Sequence, residues 1–165
     1  MAVPVFVRSI IFTIVVPCTV AGWVPHWLAN SVLDGMMFGK APSYLITEIL
    51  GIVLLVLGAA IYLWCVYDFT FIGRGTPAVF DPPRQLVIRG LYNYVRNPMY
   101  IGFILALAGQ VFLYGSPIVL FYTVAIGVFF IAFVLVEEEP AVHKKFGNDY
   151  DEYSRRVNRW LPKLK

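Results

Sequence analysis

Four long apolar runs constrain this chain more than any other feature. A helix needs about 20 mostly apolar residues to cross the hydrocarbon core of a bilayer. Residues 5–28, 44–67, 99–114 and 117–136 offer four such segments, one of them short. Composition agrees: 59% of the 165 residues are hydrophobic and 14% charged, where soluble domains average roughly 45–50% and 25%. An aromatic share of 16% excludes disorder. Two cysteines, Cys18 and Cys65, each within an apolar run, are too few for a disulfide scaffold. No repeated strand–helix alternation is present, which excludes a soluble nucleotide-binding enzyme. The expected fold is an all-α integral membrane protein with about four transmembrane helices. A single domain covers 1–165, without internal repeats, low-complexity tracts or a long linker.

The spans differ in quality. The first carries Pro17 and Pro25, which predict a kink or an early end. Its length, and the lack of a small-residue cleavage site, favour a span over a signal peptide. The third covers about 24 Å at 1.5 Å per residue, so Pro98 and Gly115 must sit near the interfaces. The fourth is uninterrupted and stops at Glu137-Glu138-Glu139. In a four-span topology, 12 of the 13 Lys and Arg residues fall on one side and only Lys40 on the other. That asymmetry places both termini in the cytoplasm. Basic segments beside anionic lipid account for the net charge of +3, so no nucleic-acid partner is implied.

Polar chemistry is confined to residues 68–98 and 137–165, both cytoplasmic in this topology and able to meet above spans three and four. Gly73-Arg74-Gly75 reads as a turn, since no predicted strand precedes it and no third glycine follows. Asn97-Pro98 is a helix start, Asn as N-cap and Pro at the first position. Such a start can hold a carboxylate, and Arg96 either adds charge there or snorkels to lipid phosphate. Glu137, Glu138 and Glu139 point about 100° apart on a helix, so one or two at most share a pocket. Val142, Phe146, Tyr150, Tyr153, Val157 and Trp160 form an amphipathic helical stripe, interrupted at Gly147-Asn148 with Asn148 as a new N-cap. That stripe suits an interfacial helix, a lid over a cofactor, or both. His26 and His143 have no cysteine nearby and fall on opposite sides, so no metal site is expected.

Taken in order, these pieces match a known pattern. Gly90-x-Tyr92-x-x-x-Arg96-Asn97-Pro98-x-Tyr100-x-Gly102, Glu137-Glu138-Glu139-Pro140, Phe146-Gly147-x-x-Tyr150-x-x-Tyr153 and Val157-x-Arg159-Trp160-x-Pro162 resemble the isoprenylcysteine carboxyl methyltransferase family. Integral membrane phospholipid N-methyltransferases are related to it. The resemblance covers residues 73–162. It implies methyl transfer from S-adenosyl-L-methionine, with S-adenosyl-L-homocysteine as product, at the cytoplasmic membrane face. It assigns cofactor contacts to Arg84, Gln85, Leu86, Val87, Tyr92, Asn97, Pro98, Met99, Tyr100 and Glu138. The chain departs from the eukaryotic pattern at Asn97, where those enzymes carry His, and at Val134, where they carry a substrate-binding Arg.

The chemistry suits these residues. A sulfonium loses its charge as the methyl leaves in line, so alignment and exclusion of water supply much of the acceleration. Tyr92 and Tyr100 offer cation–π faces. A carboxylate or thiolate acceptor needs no base, whereas a protonated amine does, with Glu137 or Glu139 as candidates and Arg96 as a further catalytic candidate. The acceptor is expected to be amphiphilic or lipid-like and to arrive from the bilayer. Gly102 and Gly109 in span three either admit a neighbouring helix or leave a groove for it. The missing Arg at position 134 argues against an obligate anionic prenylcysteine. Two other readings compete. An NADPH-dependent membrane reductase shares the Arg96-x-Pro98-x-Tyr100 turn but needs more spans, and a non-enzymatic membrane scaffold would use these turns for packing. The sequence leaves the identity of the acceptor and the oligomeric state open.

Overall fold

The computed structural model describes residues 4–31, 44–73 and 85–163, and the chain is helical almost throughout these ranges. Helix α1 (Val5–Cys18) runs through a π-helical turn (Thr19–Trp23) into α2 (Val24–Ala29). Helix α3 is Leu45–Phe71, and α4 is Pro98–Tyr114. Helix α5 (Pro117–Phe133) passes through a second π turn (Val134–Glu138) into α6 (Glu139–Phe146), and α7 (Asn148–Arg156) follows. Among the described residues, three continuous helices are long and apolar enough to cross a membrane: Val5–Ala29, Leu45–Phe71 and Pro117–Phe146. The fourth, Pro98–Tyr114, is shorter and apolar.

The prolines of the first segment do not end it. Pro17 lies inside α1, and Pro25 takes the first turn of α2. Between them the backbone widens into the π turn and the helix goes on. A π turn removes regular i→i+4 bonds, and the freed carbonyls need donors inside the membrane. Neighbouring helices provide them: the Tyr122 hydroxyl donates to the Val20 carbonyl at 2.7 Å, and the Gln110 amide donates to that of Ala21. Gln110 is buried, and its amide also donates to the Ala106 carbonyl at 3.4 Å, so the polar side chain is satisfied within an apolar span.

Helices α3 and α4 pack along a seam of glycines, Gly51 and Gly58 against Gly102 and Gly109, each pair seven residues apart and all four buried. A Cβ built on Gly58 would lie 2.4 Å from the Ala106 nitrogen and 2.5 Å from the Gly102 carbonyl oxygen. One built on Gly109 would lie 2.6 Å from the Gly51 carbonyl oxygen. The two backbones touch there. Gly102 and Gly109 therefore serve helix packing and leave no groove between α3 and α4. Close backbone approach is what small residues supply in lipid, where hydrophobicity does not hold helices together.

Local chemistry sets the hinge between α4 and α5. Gly115 ends α4 with a left-handed φ of 56°, Ser116 accepts from the Val119 N–H at 3.2 Å, and Pro117 occupies the first turn. The helix that follows has 30 residues in all, about 45 Å against a hydrocarbon core of about 30 Å. Its last ten residues, beginning at Glu137 and carrying three carboxylates and two lysines, therefore project beyond the span.

Gly147 turns the chain at the end of that projection, with φ 52°. It, not Asn148, is the N-cap of α7, because only a glycine adopts that backbone cheaply. Helix α7 then folds back. Tyr150, Tyr153 and Val157 form a buried cluster, with Leu86, Val142 and Phe146 packed against it. The predicted stripe is thus the face that docks onto the segment preceding α4.

Candidate functional site

A cavity opens where the start of α4, the end of the α5–α6 helix and the folded-back α7 converge. Its enclosed volume is about 90 Å³, below the roughly 300–1,000 Å³ usual for small-molecule sites. Leu86, Val87, Tyr92 and Phe69 form one wall, Asn97, Met99 and Tyr100 the floor, and Val142, Phe146, Tyr150 and Tyr153 the lid side. Its charged groups are Arg96, Glu138 and Glu139.

Each charged group is held. The Tyr100 hydroxyl donates to Oε2 of Glu138, joining α4 to the second π turn. Nη1 of Arg96 lies 3.0 Å from Oε1 of Glu139 and donates to the Tyr150 hydroxyl at 2.8 Å. The Arg96 side chain is only 10% exposed, so it does not snorkel to lipid. Its Nε is buried and has no hydrogen-bond partner among the described residues. Arg159 closes the set from outside, Nε to Oε1 and Nη2 to Oε2 of Glu139, both at 2.8 Å.

The adjacent carboxylates are tuned in opposite directions. Burial pushes the Glu138 carboxyl above the usual carboxylate range, against the pull of the Tyr100 hydroxyl, and the neighbouring Glu139 charge adds to the rise. Burial opposes ionisation at Glu139 too, but the Arg159 hydrogen bonds and the charges of Arg96 and Arg159 outweigh it and hold the group below that range.

The expected residues are placed as follows. Leu86, Val87, Tyr92, Asn97, Met99, Tyr100 and Glu138 line the cavity, as do Arg96 and Glu139. Pro98 is buried beside it in the first turn of α4. Gln85 is exposed and lines a neighbouring open cleft with Asp149 and Glu152. Glu137 is exposed and outside the lining. Arg84, like Arg74 and Gly75, lies outside the described residues.

Asn97 does stand at the N-cap position, but its side chain makes no cap bond. Its amide points instead to the Arg159 carbonyl, at 3.4 Å. The reason is tertiary: residues 157–159 run beside 95–97 and occupy that flank. Phe69 is a lining residue that sequence reasoning passed over. It sits on α3, which continues past the predicted end of its span at Tyr67.

The histidines are engaged elsewhere, Nδ1 of His26 3.3 Å from the Tyr114 hydroxyl and Nε2 of His143 3.1 Å from Oδ1 of Asp151. No cluster of metal-ligating side chains occurs among the described residues.

The pattern of the phospholipid methyltransferase family matches residues 46–149 of this chain. A probable protein-S-isoprenylcysteine O-methyltransferase of Oryza sativa subsp. indica is 26% identical over 140 residues, 82% of this chain and 71% of that protein. The protein-S-isoprenylcysteine O-methyltransferase of Schizosaccharomyces pombe is 33% identical over 78 residues, 47% of this chain and 33% of that protein.

Proposed function

Because the chain belongs to the phospholipid methyltransferase family, we propose that the cavity at the start of α4 binds S-adenosyl-L-methionine and that an amphiphilic acceptor receives its methyl group at the cytoplasmic membrane face. The observation that carries this reading is the joining of Tyr100 to Glu138 and of Arg96 to Glu139 across one aromatic-walled cavity. The residues fit such a donor. A buried guanidinium with an unpartnered Nε is offered to its carboxylate. When bound, the donor supplies an electrophilic methyl on a sulfonium, whose positive charge vanishes as the methyl passes to the acceptor's lone pair.

The chain's own groups set up that displacement. Tyr92 and Tyr100 bring aromatic rings to the lining, where their faces favour a cation. Glu138, fixed by Tyr100, is an acceptor for the donor's amino or ribose hydroxyl groups. Val87, Met99 and Phe146 exclude water, which strengthens these contacts. Glu139 is a poor proton acceptor while gripped by two arginines, and the exposed Glu137 has no access to the lining. With Glu138 held by Tyr100 and assigned to the donor, the arrangement suits acceptors that need no buried base, carboxylates and thiolates, or amines that arrive already neutral.

With its aqueous side covered by α7, the cavity is reached by an apolar acceptor from the bilayer. Calorimetric titration of the purified protein is expected to show binding of S-adenosyl-L-methionine and none of NADPH. A methyl-transfer assay over water-soluble and lipidic acceptors is expected to give turnover only with the lipidic ones. Efficient turnover of a water-soluble acceptor alone would sink entry from the membrane, and binding of NADPH in place of the donor would replace the reading with a reductase.

Both termini are assigned to the cytoplasm on the distribution of basic residues. Reporter fusions at Lys165 and near Lys40 should give opposite signals. Equal signals would remove the four-span topology.

A further inference from the structure

One member of the charge network lies outside the cavity. Arg159 belongs to an extended segment just past α7, and that segment is stitched to the approach to α4. Val95 and Asn158 form a parallel bridge, the Arg96 N–H donates to the Asn158 carbonyl at 2.8 Å, and the Asn97 N–H donates to the Arg159 carbonyl at 3.2 Å. From this position the Arg159 guanidinium meets Glu139 as a fork, two parallel bonds of 2.8 Å. The Glu139 oxygen that accepts from Arg159 Nε is also the one 3.0 Å from Arg96.

Exposure falls along this chain of contacts. The Arg159 side chain is 46% exposed, Glu139 16% and Arg96 10%. An ion pair with one partner so exposed contributes little to stability. A fork, however, fixes the plane of the carboxylate it grips. Arg96 takes its own direction from that carboxylate and from the Tyr150 hydroxyl, leaving its buried Nε free among the described residues.

We infer that Arg159 is a positioning residue of the donor site: its fork fixes Glu139, and Glu139 in turn aims Arg96 into the cavity. This rests on the donor reading given above. The backbone bonds of residues 157–159 hold the segment in place without the Arg159 side chain, so removing that side chain disturbs the aim of Arg96 and not the strap.

The test compares Arg159→Gln and Arg159→Lys, each in the wild-type protein and in an Arg96→Lys background, by calorimetric titration with S-adenosyl-L-homocysteine. Arg159→Gln is expected to weaken binding about tenfold, and Arg159→Lys, which keeps the charge but loses the fork, by about threefold. In the Arg96→Lys background, which has no guanidinium to aim, neither change should weaken binding further. In turnover, the donor KM should rise by the same factor while kcat stays within about twofold. Deuterium uptake at 157–159 should match the wild type.

Binding by Arg159→Gln within about twofold of wild type, or a loss that persists in the Arg96→Lys background, overturns the inference. Should Arg159→Gln fail to fold, the Arg159→Lys pair decides the same question. A folded wild type that binds no S-adenosyl-L-homocysteine would bring down the donor reading itself, and this inference with it.

Discussion

Glu138→Ala is expected to weaken S-adenosyl-L-homocysteine binding by about 10- to 100-fold, the range for losing hydrogen bonds to a charged group in a partly dry site. The substitution removes the proposed acceptor for the ligand and leaves the Tyr100 hydroxyl without its carboxylate. Tyr100→Ala should cost a comparable factor, because it takes away an aromatic wall and releases Glu138. Tyr100→Phe, which keeps the ring, should cost less. The dependence on pH follows from the raised Glu138 carboxyl, whose ordinary value burial shifts upward. As pH falls, Glu138 takes up its proton earlier than an exposed glutamate, so wild-type affinity should begin to drop above the usual carboxylate range. Calorimetry over a pH series measures both effects. If Glu138→Ala and Tyr100→Ala each stayed within about twofold of wild type, the site would have been assigned to the wrong residues.

The largest loss of stability is expected from the glycine seam. Gly58→Ala would put its methyl 2.4 Å from the Ala106 nitrogen and 2.5 Å from the Gly102 carbonyl oxygen. Both are backbone atoms, which no rotamer change can move aside. The helices must separate, at a cost of about 3 kcal/mol or more. Gly22→Ala is the control, since nothing lies within 4 Å of a Cβ there, and it should change stability by at most about 0.5 kcal/mol. Thermal unfolding in detergent, read as midpoint and as folded yield, separates the two. Equal behaviour of the two variants would mean that α3 and α4 do not pack as described. Because Gly102 lies in this seam, a bulky substitution there tests packing and says nothing about the acceptor's path.

The elements of the site were legible because they are local. Asn97-Pro98 starts a helix and Gly115-Ser116-Pro117 turns one, whatever surrounds them. Tyr150, Tyr153 and Val157 announce a buried face by their spacing alone. What each feature touches was not legible. Three successive glutamates leave the helix about 100° apart, and the π turn over Val134–Glu138 decides that Glu138 and Glu139 face the cavity while Glu137 stays exposed outside it. A π turn inserts an extra residue and so shifts the facing of everything after it, which no count of 3.6 residues per turn anticipates.

Asn97 and Gly102 draw the same boundary. Asparagine before proline predicts a cap, and the backbone obeys, but the side chain is drawn to a carbonyl 62 positions away. A glycine in a span is compatible with a groove or with contact, and only the arrival of Gly58 opposite it settles which. By itself, then, the amino-acid sequence determined that this is an all-helical membrane protein, where its apolar runs lie, and which short segments carry its polar chemistry. These follow from hydrophobic length, capping and periodicity, forces that act within a few residues. The tertiary structure alone decided which carboxylate pairs with which arginine, which glycines touch, and that Arg159 reaches Glu139. Those outcomes depend on distances between segments far apart in the chain, and packing in three dimensions sets them.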